Sequence, residues 1–86
     1  MKSTETEKQL ISFRVIEADQ VAMLLRKTRE ANGMRQQDVA DKAGIDKGTY
    51  ATYEHGKRSP QVYILEAVLN ALGYDLKIMV VKRGTV

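Results

Sequence analysis

The spacing of apolar positions divides the chain into four helical stretches and two ends with a different period. Between Asp19 and Ala31, Val21, Leu24, Leu25 and Thr28 recur at helical spacing, with Asp19 placed as a cap and Asn32-Gly33 as a stop, which predicts a first helix. A second, short helix is predicted after Met34 and must end at Gly44, where glycine adopts a left-handed backbone without a Cβ clash. Ala40 supplies the small contact that two steeply crossing helices need, and Ile45 is the apolar plug between them. A third helix is expected from Lys47 to about Glu54, with Asp46 as its cap. Tyr50 and Tyr53 lie one turn apart and face the core, which leaves Lys47, Thr49 and Thr52 outward with Gly48 beside them. Ser59-Pro60 opens a fourth helix, the proline preset for the first helical position. Its inner face is Val62, Leu65, Val68, Leu69 and Leu72, and Gly73 ends it.

The two ends follow another rule. YDLKIMVVKRG alternates and is rich in β-branched residues, which predicts a strand. A lone strand leaves backbone groups unpaired and an apolar face open, so it requires a partner. The same strand of a second copy, across a two-fold axis, would bury Leu76, Ile78 and Val80. ISFRVI, from Ile11 to Ile16, reads as a short strand or extended arm able to widen the same sheet. The expected fold is therefore mainly α, with four helices and a C-terminal strand forming an intersubunit sheet. Residues 1–17 would be a polar tail and arm, 18–74 the helical domain and 75–86 the dimerisation strand.

With 86 residues and a formal net charge of +3, the composition fits one small domain with a mild basic bias. Residues 1–20 carry a net −1 and residues 21–86 a net +4, so any strongly basic surface has to come from placement. Arg35, Lys47, Lys57 and Arg58 are expected near one face while Asp38 and Asp41 look elsewhere. The absence of cysteine excludes disulfides and thiolate metal sites. His55 is the only histidine and has no matched acid, which makes it a poor metal ligand or catalyst. Paired carboxylates, a phosphate loop and an activated nucleophile are all lacking, so neither an enzyme nor a cofactor is expected. MKSTETEKQ has no apolar signal core and no stretch is long enough to cross a membrane, so a cytoplasmic protein is expected. Met23, Met34 and Met79 read as gap fillers, and Lys77, Lys82 and Arg83 as the solvated edge of the tail strand.

Two short helices joined at a glycine turn, followed by a cation-rich loop, form the layout of a helix-turn-helix. The chain resembles the Cro and phage-repressor (XRE) class through Gln36, Ala40, Gly44, Glu54, Gly56 and the HGKRSP loop, over roughly Val21 to Leu76. That resemblance implies that Gln36 grips a phosphate of double-stranded DNA and that Lys47, Thr49 and Thr52 read base edges. It also implies a structural ion pair between Arg29 and Glu54. Arg35, Gln37, His55, Lys57 and Arg58 complete the expected phosphate set, although His55 serves equally well as loop surface. Gly48 removes a side chain where a base reader is often found, and Tyr50 and Tyr53 replace the commoner aliphatics.

An extended arm, four helices and a C-terminal strand are similar in order to HipB-type antitoxins, with scattered likeness in SFRVIEADQVAMLLRKTREANG. The resemblance implies a homodimer on an inverted-repeat operator and a kinase-like toxin partner. The alternative is a stand-alone phage-type or chromosomal repressor without a toxin.

Overall fold

A computed structural model of the chain describes residues 18–84. Four helices follow one another: α1 (Ala18–Ala31), α2 (Gln36–Ala43), α3 (Lys47–Glu54) and α4 (Val62–Ala71). α1 packs on α3, α2 on α3, and α2 on α4. Val21 and Leu25 of α1, Val39 and Ala40 of α2, Tyr50 and Tyr53 of α3, and Val68, Leu69 and Leu72 from α4 and its end form one buried core. Thr28 is buried with them, and its backbone carbonyl accepts the Asn32 side-chain amide at 2.8 Å.

The link between α2 and α3 forms as its residues dictate. Gly44 takes φ 75° and ψ 30°, and the Ile45 N–H reaches back to the Ala40 carbonyl at 3.0 Å, so α2 stops within one residue. Ile45 turns onto the core, and Asp46 caps α3 by accepting from the Thr49 N–H at 3.2 Å. With no side chain at Ala40 beyond a methyl, α2 comes close enough to α3 for Tyr50 to be fully buried.

Several boundaries differ from the sequence expectation. Asp19 lies inside the first turn of α1 and is not its cap. Pro60 stands before the start of α4, because Gln61 is the cap, with ψ 159°, and its carbonyl accepts the first helical bond from Leu65. A proline's fixed φ suits this extended entry as well as a first helical turn. Val62 is therefore the first residue of α4, and at 58 % exposure it does not share the inner face. Met23 and Met79 are exposed as well, so among these methionines only Met34 packs against the core.

No strand forms among the described residues. Residues 75–84 carry no regular hydrogen-bonded structure: a strand needs a ladder partner, and none stands beside them among the described residues. Leu76 instead packs against its own core, while Ile78, Met79, Val80 and Val81 are exposed. The Ile11 to Ile16 arm lies outside the described residues.

Candidate nucleic-acid interface

α3 is buried along one side and at its carboxyl end, and open at its amino end. Lys47 and Gly48 are exposed, while Tyr50, Tyr53 and Glu54 are buried. Thr49 and Thr52 point outward only in part: both are half-buried, and the Thr52 hydroxyl donates to the Thr49 carbonyl at 2.6 Å. Gly48 leaves space for the cap, because a Cβ there would meet the Asp46 carboxylate at 2.9 Å.

The far end of α3 is held by a polar network around Glu54, whose side chain is only 2 % exposed. Arg29 reaches from α1 with a forked contact, Nε to Oε2 at 2.7 Å and Nη2 to Oε1 at 3.1 Å. Its Nη1 also donates to the Met34 carbonyl at 2.9 Å, which ties in the link to α2. The Tyr50 hydroxyl donates to Oε2, and the Gln36 amide donates to Oε1 at 3.0 Å. Arg26 then covers the end of the helix by donating to the Glu54 backbone carbonyl at 3.2 Å. Sequence reasoning named Arg29 and Glu54 but missed Gln36, Tyr50 and Arg26 as members. The signal available was the one-turn spacing of Tyr50 and Glu54, which puts both groups on one face.

These contacts set the ionisation of the network. Burial pushes the Glu54 carboxyl up, but hydrogen bonds from Arg29, Tyr50 and Gln36 outweigh it and hold the group below its ordinary value. Burial and the bond to Glu54 both push the Tyr50 phenol up. The lowered Glu54 gives stability that is complete above the unfolded carboxyl's 4.5 and lost as pH falls through the folded value. The raised Tyr50 gives stability that is complete below the unfolded phenol's 10.0 and lost as pH rises through the folded value. Melting temperature plotted against pH should therefore form a plateau between those limits and fall at both ends, and Tyr50→Phe should flatten the alkaline fall.

The loop after α3 brings its cations outward. Gly56 has φ 74°, and the Lys57 N–H bonds back to the Thr52 carbonyl at 3.0 Å, closing α3 with a compact turn. A Cβ on Gly56 would lie 2.8 Å from an Asp19 carboxylate oxygen, so this turn rests on the first turn of α1. His55, Lys57 and Arg58 are all exposed around it.

At the start of α2 the acids do not look elsewhere as expected. The Arg35 guanidinium, on a side chain 81 % exposed, bonds Asp38 at 2.8 Å, and Asp38 also accepts the Arg35 backbone N–H at 2.9 Å. The Arg35 side chain and backbone N–H hold the Asp38 carboxyl well below the usual range. Gln37 donates to Asp41 at 2.8 Å. The reason is local: residues three or four apart on a helix are neighbours, so each acid meets the donor one turn before it. Gln36 is half-buried, and among the described residues the first backbone bonds at this end run from Asp38 and Val39 to the Arg35 carbonyl.

Two helices joined by a capped glycine turn, the second anchored at one end and bare at the other, define a helix-turn-helix. The chain belongs to the helix-turn-helix family, whose model matches residues 25–78. It is 38 % identical over 52 residues to the uncharacterized HTH-type transcriptional regulator YqaE of Bacillus subtilis (strain 168), a match covering 60 % of this chain and 45 % of YqaE. The match to YqaF of the same strain, also an uncharacterized HTH-type transcriptional regulator, is 35 % over 51 residues, or 59 % of this chain and 67 % of that one. The match thus spans less than half of the first relative. Among solved structures, the wild-type restriction-modification controller protein C.Esp1396I superposes with a TM-score of 0.65 at 25 % identity, covering 70 % of this chain and 79 % of that one. A chain of the HipA-HipB-O2-O3 complex superposes at 0.67 with 21 % identity, covering 83 % and 100 %, a likeness of fold. No described helix is long and apolar enough to cross a membrane.

Proposed function

We propose that the chain is a sequence-specific DNA-binding repressor of transcription that acts as a homodimer. The reading rests on α3, whose amino end is exposed and capped while its carboxyl end is locked to α1 and α2 through Glu54. A helix held in that way can enter a major groove without losing its own support. Lys47 offers an ammonium to guanine acceptors, and Thr49 and Thr52 offer methyl contacts to thymine. Gln36 grips a phosphate, with Arg35, Gln37, His55, Lys57 and Arg58 around it. Arg35 and Gln37 would exchange their acidic neighbours for phosphate, which exposed side chains can do at small cost.

Log affinity for the best operator should fall with log salt at a slope on the order of −4 to −8, as several phosphates are neutralised per dimer. Lys47→Ala should cost about 1 to 3 kcal/mol on that operator and relax one base position, whereas Lys57→Ala should weaken all sequences alike. Gel-shift titrations against selected and random fragments check both. A flat salt response, or failure to retain any genomic fragment at low ionic strength, would sink the reading.

The tail supplies the dimer in this proposal. Exposed Ile78 and Val80 would pair with a second copy, and Leu76, seated on its own core, would anchor the strand to its subunit. A second reading makes the chain an antitoxin that controls its own operon. The exposed apolar run at Ile78, Met79, Val80 and Val81, on a fold like that in the HipA-HipB-O2-O3 complex, favours a protein-docking role. Copurification of a kinase-like toxin, with rescue of toxin-arrested cells, would support it over a stand-alone repressor.

A further inference from the structure

We infer that Glu54 is a positioning residue for the phosphate grip, acting through Gln36. The inference rests on the DNA-binding reading above and deepens it. An ionised carboxylate can only accept hydrogen bonds, so the Gln36 carboxamide must turn its nitrogen toward Oε1, as the 3.0 Å contact shows. That nitrogen carries two hydrogens. Glu54 takes one, and the second remains for a phosphate oxygen at the open start of α2.

Without this contact the carboxamide is free to turn its carbonyl oxygen outward, which phosphate repels, and it loses rotational freedom on binding. Glu54 can hold Gln36 because it is itself held: Arg29 grips both of its oxygens and Tyr50 grips one. The Arg29 charge also neutralises an acid that would otherwise repel DNA. Glu54 ends α3 and Gln36 begins α2, so one hydrogen bond sets the phosphate grip relative to the reading helix.

The test compares the wild-type chain, Gln36→Met, the pair replacement Arg29→Met/Glu54→Leu, and all three substitutions together. Each must first be shown folded by thermal melting. The probe is a selected operator fragment carrying single methylphosphonate substitutions. Gln36→Met and the pair replacement should each weaken binding roughly three- to tenfold. Both should become indifferent to the same phosphate in each half-site, and the triple variant should bind no worse than either. Tyr50→Phe, which loosens the same carboxylate without touching Gln36, should keep that phosphate dependence. In the free wild-type chain, NMR relaxation should find the Gln36 side-chain nitrogen ordered and that of exposed Gln61 mobile.

Additive losses, or a pair replacement that weakens every phosphate contact evenly, would overturn the inference. So would a Gln36 nitrogen as mobile as that of Gln61, which decides the matter even if the pair replacement fails to fold. If the wild-type chain binds no DNA at all, the functional reading falls first and this inference with it.

Discussion

Arg29→Ala should remove about 3 to 5 kcal/mol of folding stability, which is a large share of what a small domain possesses. The guanidinium donates twice to Glu54 and once to the Met34 carbonyl, so its loss strands a buried carboxylate and an unpaired carbonyl together. Tyr50 and Gln36 would still donate to Glu54, but neither carries charge. Urea denaturation should show a midpoint lowered in proportion, and acid should narrow the gap by protonating Glu54 in the variant. Replacing the pair by Arg29→Met/Glu54→Leu should cost much less, because no charge is then left behind. An Arg29→Ala midpoint close to wild type would mean that the network does not hold α3 to α1.

Tyr50→Ala should cost a further large amount, about 3 to 5 kcal/mol, since the ring is fully buried in the core. The cavity would lie directly behind α3, so under the proposed function operator affinity should fall along with stability. Tyr50→Phe separates the two roles of the residue: it keeps the packing and removes one hydrogen bond to an ionised group, for about 1.5 to 3 kcal/mol. The two substitutions at Tyr50 should combine with Arg29→Ala less than additively, because all three act on one carboxylate. Additive losses would show that Tyr50 contributes only as a filler of space.

The tyrosines explain how sequence and structure relate at this site. Where aliphatics are commoner, a tyrosine at position 50 adds a hydroxyl that must be satisfied, and Glu54 one turn away satisfies it. Helical spacing makes that pair readable. The entry of Gln36 into the same network is a contact between residues 18 positions apart, and no local pattern encodes it. Likewise the sequence at the entry to α2 identifies a basic residue at Arg35, but whether its charge is free depends on the rotamers that bring Asp38 to it.

By itself the sequence determined the four helices, the glycine turn at Gly44, the Asp46 cap and the buried tyrosines, because periodicity, capping and left-handed backbone are local properties. Only the tertiary structure decided which donors converge on Glu54, that Val62 and Met23 face outward, and that Leu76 belongs to its own core. Those outcomes depend on how helices cross and where α4 begins, and they arise from packing between segments distant in the chain. The tail marks the boundary between the two kinds of information. Alternation makes it suited to a strand, but backbone hydrogen bonds need a second strand to complete them.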